Sequence, residues 1–359
     1  MTLYNAGDKM IRYLGEEEKK ITRTLYEEAF PEDGKDMIDF FCSSRLKENR
    51  VLADVENGEI RTMIHMDPYE VMVCGKIFPL YYLVAISTQK EYRRQGLMRG
   101  VMDRLLNDLR REHCPFVFLE PADPAYYTAF DFSYISRREK NTVDPLQRKR
   151  IIEKDYQPEM CDAVVRFTNR WLRDHAEVYC VRDAHYIGLL LGEIEAGDGA
   201  FRVLFDGQGG DVAGTAAYDY PDTAEEEARL ILRDDLVKKT GRKVPFMMAR
   251  ITDLYGFIRL FSWKEDLCGK EVKKEIHITD PVIPENNGVF SWFLSNQTSR
   301  LQKEDVERER DGSAAAEKDI PEFTIAELTS WLFGYSVCEK ASWCGNVRTV
   351  HGVYFDEGF

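Results

Sequence analysis

From Glu17 to Phe30 the apolar positions Ile21, Leu25, Tyr26 and Phe30 recur at a spacing that sets one face of a helix against a core. Asp36 to Leu46 repeats the pattern with Met37, Phe40, Phe41 and Leu46. The period then changes. Arg50 to Val55, Glu59 to Met66 and Glu70 to Phe78 predict short strands, separated by Asn57-Gly58, Asp67-Pro68 and Gly75, where turns or bulges fit. Tyr81 to Thr88 predicts a further strand. It runs through the charged segment Gln89 to Arg94 and Gly96 into a helical pattern of Leu97, Val101, Leu105 and Leu109, and Phe116 to Glu120 returns to strand. Strand, tight turn, helix, strand is the arrangement of a mixed α/β domain that takes a ligand at a strand-to-helix junction.

Asp123 to Phe132 reads as a loop or short helix, Tyr134 to Ser136 as a strand, and Asn141 to Arg150 as a polar connection, with a boundary near 145–155. Beyond it, Met160 to Leu172 predicts a helix. Glu177 to Arg182, Tyr186 to Ile194 and Phe201 to Phe205 predict strands, Gly207 to Gly210 a turn, and Glu225 to Lys239 a helix. ARITDLYGFIRLF, from Ala249, opens as a strand and continues as a helix. Glu275 to Ile278, Gly288 to Leu294 and Asn296 to Gln302 suggest a last sheet, and Glu304 to Lys318 a polar, alanine-rich connection. Thr324 is placed to cap a short helix carrying Ile325, Leu328, Leu332 and Phe333, with Gly334 as its stop. The final VYFDEGF has Val353, Tyr354 and Phe355 available to dock.

A chain of 359 residues suits two or three domains. Its formal charge of −14 makes nucleic acid and an anionic membrane poor partners and a cationic substrate a suitable one. Eight cysteines without a CxxC pair, a start unlike a signal peptide and the lack of any apolar run near 20 residues lead to the expectation of a cytoplasmic protein with reduced thiols. The six histidines form no HExxH or tight cluster, so no metal is expected. Cys114 has no recognisable base partner and is not read as a nucleophile.

The most informative text is YYLVAISTQKEYRRQGLMRGVMDRLL, residues 81–106. Arg93, Arg94, Gln95, Gly96, Leu97 and Met98 set backbone donors at a helix start, where unpaired N–H groups and the helix field favour phosphate. An ordinary surface helix with a tight glycine connection is the competing reading. The segment resembles the acetyl-CoA motif of the GCN5-related N-acetyltransferase superfamily, whose Arg/Gln-x-x-Gly-x-Gly/Ala loop holds the pyrophosphate through backbone amides. Met98 stands where the family has a small residue. By the same resemblance, Ile86, Ser87 and Thr88 run beside the pantetheine arm.

A closer similarity, over nearly the whole chain, is to the Eis-like (enhanced intracellular survival) branch. It is carried by YRRQGLMRG (92–100), AYYTAFDFSY (125–134), ARITDLYGF (249–257), ITDPVIPENNG (278–288) and the terminal aromatic residue. The resemblance implies an α/β chain with tandem acetyltransferase-like domains followed by a sterol-carrier-protein-like α+β domain. Its expected divisions are a catalytic acetyl-CoA-binding domain over 1–148, a degenerate second domain over 149–262, and a third over 263–359 that supplies the C-terminal carboxylate. It also implies direct acetyl transfer from acetyl-CoA to a primary amine, with an aminoglycoside or polyamine as the acceptor, and without a metal. Tyr127 would protonate the departing thiolate, and the carboxylate of Phe359 would accept the amine proton. A lysine-containing peptide is the alternative acceptor, and a homo-oligomer, with a hexamer as one form, is the implied assembly. Tyr126 is the alternative register for Tyr127, and packing beside Phe130 and Phe132 is its alternative role.

Glu120, Asp123 and Asp131, with Asp356 and Glu357 near the tail, are candidates to attract ammonium groups, though each alone reads as a solvated acid. Phe30, Phe40, Phe41, Tyr69, Tyr81 and Tyr82 could line an acceptor cavity or simply fill the core. A noncatalytic acyl-CoA-binding regulatory protein and a carrier of a lipophilic ligand are the rival functions.

Overall fold

The computed structural model describes residues 10–207, 210–304 and 320–357. β1 (Met10–Tyr13) leads through a short turn into α1 (Thr22–Ala29), α2 (Lys35–Phe40) and a wide π turn over Phe41–Arg45 that ends in α3 (Leu46–Glu48). Leu25, Tyr26, Met37, Phe41 and Leu46 are buried as the 3.6-residue periodicity expects and Phe30 and Phe40 are half-buried, but Ile21 is exposed, which corrects its expected place on the core face, and Ile38 is buried instead. β2 (Arg50–Glu56), β3 (Glu59–Val73) and β4 (Lys76–Thr88) follow as an antiparallel meander. Both hairpin turns, Asn57-Gly58 and Cys74-Gly75, have positive φ at each central residue, the two-residue geometry whose twist matches that of the strands.

The predicted break at Asp67-Pro68 does not occur. β3 runs unbroken through it, and Pro68 falls where β2 has already ended alongside β3 and the next neighbour, which meets Val71–Val73, has not begun. A missing N–H is tolerated at such a gap. Likewise Lys76 to Thr88 is one strand rather than parts of two.

α4 (Leu97–Arg111) packs its buried Val101, Met102, Leu105 and Leu109 on the sheet, and β5 (Phe116–Leu119) is buried throughout. Then come α5 (Pro124–Thr128), β6 (Ser133–Tyr134) and two short strands, β7 (Arg137–Glu139) and β8 (Thr142–Val143).

The middle of the chain forms β9 (Ile151–Asp155), α6 (Cys161–His175), β10 (Val178–Cys180), α7 (Ala184–Ala196), β11 (Ala200–Asp206), β12 (Val212–Tyr218) and β13 (Arg229–Leu232). Two expectations are corrected here. Tyr186 to Ile194 is helix, not strand: Asp183 accepts the Tyr186 N–H at 2.7 Å as an N-cap, and Ile187, Leu190 and Ile194 are buried at helical spacing. A short leucine-rich run does not distinguish the two states by composition, and the cap decides. Glu225 to Lys239 is not a helix. β13 pairs with β12, and after a single 3-10 turn β14 (Val237–Lys238) pairs with β8, so long-range pairing overrides local helix propensity.

β15 (Lys243–Pro245) precedes β16 (Met248–Ile251), α8 (Leu254–Ile258) and β17 (Ser262–Trp263). The last part has β18 (Val272–Thr279), β19 (Gly288–Leu294), β20 (Ser299–Lys303), β21 (Glu322–Thr324), α9 (Ile325–Leu332), β22 (Val347–Arg348) and β23 (Val353–Tyr354). Thr324 and Glu327 form the capping box at the start of α9. Most of the predicted connection from Glu304 to Lys318 lies outside the described residues.

Strands from distant parts of the chain share one sheet, nine-stranded among the described residues. Its main path is β1-β2-β3-β4-β5-β16-β6, and β10 pairs with both β3 and β23. β9, β11, β12 and β13 form a separate antiparallel sheet, and β18 to β21 another. No helix among the described residues is long and apolar enough to cross a membrane.

Candidate active site

β4 and β5 run parallel but meet at only one described pair, Tyr82 with Phe118. Beyond it, Leu83 to Thr88 turns one strand edge to the gap. A bulge begins the opening: Ala85 has φ 49°, and Ala85 and Ile86 together face Ile64 on β3. Ser87 is held from the β3 side, where the Thr62 hydroxyl donates to its carbonyl at 2.8 Å. Ile86 and Thr88 are half-buried and Ser87 is buried, as expected of a groove wall.

The loop after β4 has two residues in the left-handed region, Arg94 (φ 62°) and Gly96 (φ 80°), the latter immediately before α4. A Cβ at Gly96 would meet nothing within 4 Å, so the glycine is required by conformation and the space above it is open. The first amides of α4 have no carbonyl a turn earlier to satisfy them, which suits a bound anion. Arg93 donates from Nε to the Thr88 carbonyl at 3.0 Å, and Gln95 from Nε2 to the Glu91 carbonyl at 2.9 Å. These side chains therefore brace the loop while its backbone faces outward. Leu97 is buried, and Met98 is half-buried against the core. The open loop, the free strand edge and the gap together fit a diphosphate followed by an extended arm.

Tyr127 sits on α5, which Asp123 caps by accepting the Ala125 N–H at 2.9 Å. Two arginines tie the following loop. Arg99, from the first turn of α4, donates to the Ala129 carbonyl at 3.3 Å, and the fully buried Arg250 on β16 donates to the Phe130 carbonyl at 2.7 Å. Arg250 also pairs with the buried Asp280 at 2.6 Å. Tyr127 is half-buried, edge-on to Phe132 at 6.1 Å, and its hydroxyl has no hydrogen-bond partner among the described residues. Burial, with a smaller effect from Tyr126, raises its pKa and keeps it a proton donor. Tyr126 is largely exposed.

The tail docks. β23 pairs in parallel with β10, and Phe355 stacks on Phe118 at a centroid distance of 4.4 Å, at the level where β4 and β5 part. Asp356 is buried and takes Arg182 Nη2 at 2.6 and 2.5 Å. Burial opposes its ionisation, but Arg182, then Arg229 and Arg138, outweigh that and hold the carboxyl below its usual range. Glu357 accepts from the Tyr186 hydroxyl at 2.7 Å, and burial, with Asp356 nearby, pushes its carboxyl up. Asp356 is thus committed to arginine, which corrects its expected role in attracting ammonium. Phe359 lies outside the described residues. No side-chain hydrogen bond joins Tyr127 to residues 353–357 among the described residues.

Glu357 lines a cavity of about 220 Å³ with Arg45, Tyr69, Tyr186, Glu193 and Arg229. Glu193 bridges Arg45 and Arg229, each at 3.0 Å, and Glu48, Glu70 and Asp183 add acidic groups to the wall. Tyr69 connects the cavity to the gap, its ring 6.4 Å from Phe118 and 6.5 Å from Tyr82.

Of the predicted aromatic set, Tyr69 alone lines this cavity; Phe41 and Tyr82 are buried, and Phe30 and Tyr81 pack on the core. The Tyr81 hydroxyl accepts from Arg50. Phe40 abuts Gly192 of α7, where a Cβ would come within 2.5 Å of its ring. Asp123 is occupied by its cap. Asp131 is half-buried and Glu120 stands at the end of β5. Desolvation pushes both carboxyls up, with arginines opposing. The Glu120 side chain keeps exposed surface, so this is the influence of a cleft wall rather than a sealed core.

Residues 10–135 match the acetyltransferase (GNAT) domain family, and residues 254–354 match the sterol carrier protein domain family. The N-terminal fold is that of a GNAT-superfamily acetyltransferase. Three solved structures resemble nearly the whole chain. One is a conserved protein of unknown function from Enterococcus faecalis V583, described as a probable N-acyltransferase (TM-score 0.69, 14% identity, 95% of this chain and 94% of that one). Another is a GCN5-related N-acetyltransferase from Anabaena variabilis (0.66, 12%, 95% and 94%). The third is Eis1 from Mycobacterium abscessus (0.63, 14%, 95% and 93%). At these identities the likeness is one of fold. No curated protein matches the sequence.

Sequence reasoning missed the buried arginines Arg45, Arg182, Arg229 and Arg250. The signal was partly present, since ARITDLYGF contains Arg250 and ITDPVIPENNG contains its partner Asp280.

Proposed function

We propose that the protein is an acetyl-CoA-dependent N-acetyltransferase of the Eis-like branch, which moves the acetyl group directly to a primary amine of a cationic small molecule. The observation that carries this reading is the convergence on one gap of the open loop at the start of α4, a free β4 edge and the docked tail at Phe355. Acetyl-CoA supplies the thioester; the chain's residues hold it and move protons. The amides around Gly96, from Arg93 to Met98, receive the diphosphate, and Ile86, Ser87 and Thr88 line the arm. Tyr127 donates a proton to the departing thiolate, and the Phe359 carboxylate takes one from the amine. The acid-rich cavity beside Tyr69 and Glu357 receives the cationic acceptor, an aminoglycoside or polyamine.

In this reading the chain divides into a catalytic domain over 1–148, a degenerate second acetyltransferase-like domain over 149–262, and a sterol-carrier-protein-like domain over 263–359. Assembly as a homo-oligomer and a cytoplasmic setting belong to the same proposal. The test is product mass spectrometry with acetyl-CoA across polyamines, aminoglycosides and lysine peptides. Acetylated amine that is lost on Tyr127→Phe and on deletion of Phe359, with CoA binding retained, supports the mechanism. CoA binding without product from any amine would favour a noncatalytic acyl-CoA-binding protein, and product from peptides alone a lysine acetyltransferase.

A further inference from the structure

Cys338 and Cys344 flank a short loop after α9. Their Sγ atoms lie 2.7 Å apart, within roughly 0.7 Å of a disulfide bond length. Separate contacts fix each side of the loop. Lys340 donates from Nζ to the Glu322 carbonyl at 2.6 Å and to Glu327 at 2.7 Å, anchoring the stretch next to Cys338. Cys344 is buried in a 3-10 turn, its N–H donating to the Ala341 carbonyl at 3.0 Å. Its neighbour Trp343 packs 6.3 Å from Trp331 and 6.1 Å from Trp292. The two sulfurs are thus brought together by the fold before any bond joins them.

They differ in access. Cys338 is half-exposed and lines a cavity of about 780 Å³ between α5–β6 and α9. Cys344 is buried, and that burial, with Cys338 beside it, pushes its thiol up to about 12. Such an asymmetry separates an attacking thiol, open to a reagent, from a resolving thiol that acts only on its neighbour.

We propose that Cys338 and Cys344 are a thiol–disulfide exchange site that reacts with low-molecular-weight disulfides. The Cys338 thiolate attacks one sulfur of the small disulfide, forming a mixed disulfide and releasing one small thiolate. Cys344 then gives its proton to solvent and attacks the Cys338 sulfur, forming the Cys338–Cys344 bond and releasing the second small thiol. Two protein thiols are oxidised and one small disulfide is reduced to two thiols. The bond closes the loop 338–344 at the rim of the cavity and joins it to the tryptophan cluster.

The test incubates the full chain under native conditions with oxidised glutathione, alkylates the remaining thiols and digests with trypsin. Cleavage after Lys340 separates the cysteines, so the bond appears as fragment 341–348 joined to 319–340. The expected result is that this joined pair is the dominant cysteine link, that Cys338→Ser abolishes it, and that Cys344→Ser leaves glutathione on Cys338. The exposed Cys268 is expected to carry glutathione without an internal partner and reports that the reagent was active. Both thiols alkylated as in the reduced control while Cys268 is modified, or a 338–344 link no more abundant than other pairings, would overturn the proposal.

Discussion

Replacing Arg182 with Met removes the cation that holds the tail. Arg182 is 4% exposed and its Nη2 reaches both Asp356 oxygens, while Asp356 is 7% exposed. Removing one partner of a buried ion pair typically costs about 3–5 kcal/mol, because the other charge stays buried and unpaired. Arg229 lessens that cost only in part, since its described bond in the tail is to the Asp356 carbonyl, at 3.3 Å. The molecule has a route to relief short of global unfolding: residues 353–357 can leave the groove, giving up two parallel pairings with β10, the Phe355–Phe118 stack and the hydrogen bonds from Tyr186 to Glu357, from Arg229 to the Asp356 carbonyl and from Tyr354 to the Leu230 carbonyl.

Where undocking takes up the whole penalty, the docking equilibrium shifts roughly 100- to 3,000-fold. Amide hydrogen exchange read by mass spectrometry is the assay. Protection of residues 353–357 should fall by that order while β3 and β4 stay protected. Arg182→Met combined with Asp356→Leu should recover much of the loss, since no unpaired charge remains. Tail protection unchanged within threefold in Arg182→Met would refute the reasoning.

Asp67 is pushed up to about 6 by burial, with Arg45 opposing. The folded state therefore binds more protons than the unfolded between about pH 4 and 6, and this group's contribution falls as pH rises through about 6. Asp67→Asn should gain up to about 3 kcal/mol over the parent at pH 8 and nothing at pH 4, so a urea midpoint difference independent of pH would contradict this. Gly96→Val places a branched side chain at φ 80° in open space; a strain of about 1–2 kcal/mol is expected. Its calorimetric affinity for CoA should drop at least about tenfold, and unchanged affinity would remove the loop from the site. Gly352→Ala sets a Cβ 2.4 Å from the His175 carbonyl at φ 77°, and about 2–4 kcal/mol should be lost. Gly345→Ala meets nothing within 4 Å and should be close to neutral, so equal denaturation midpoints for the two would speak against the close approach.

The legible parts of the sequence were those whose signals are local. The Asn57-Gly58 turn, the strand–loop–helix around Gly96, the Gly288 to Leu294 strand and the Thr324 capping box depend on neighbouring residues and were found within a residue or two. Local text misleads where partners are distant. Arg229 to Leu232 is a strand because β12 lies beside it, and Asp356 is buried because Arg182, 174 positions earlier, reaches it. Acidic residues near a terminus look like solvated charge until the fold supplies a buried cation. The open loop before α4 was thus legible in outline, but the arginine framework that sets the tail and the Tyr127 loop was not, because ion pairs between remote residues have no spacing to read.

The shared sheet has a consequence for the order of assembly during synthesis. Strands made near the start of translation find one neighbour, β10, midway along the chain, and that neighbour is itself flanked by a strand made more than 170 residues later. A nascent chain can close its first hairpins early, yet the aromatic lid over Phe118 must wait for residue 355. Contacts this remote slow folding and leave apolar strand surface uncovered in the interval. Ribosomal stalling late in the message would therefore yield a long product with its first hairpins formed and Phe118 uncovered.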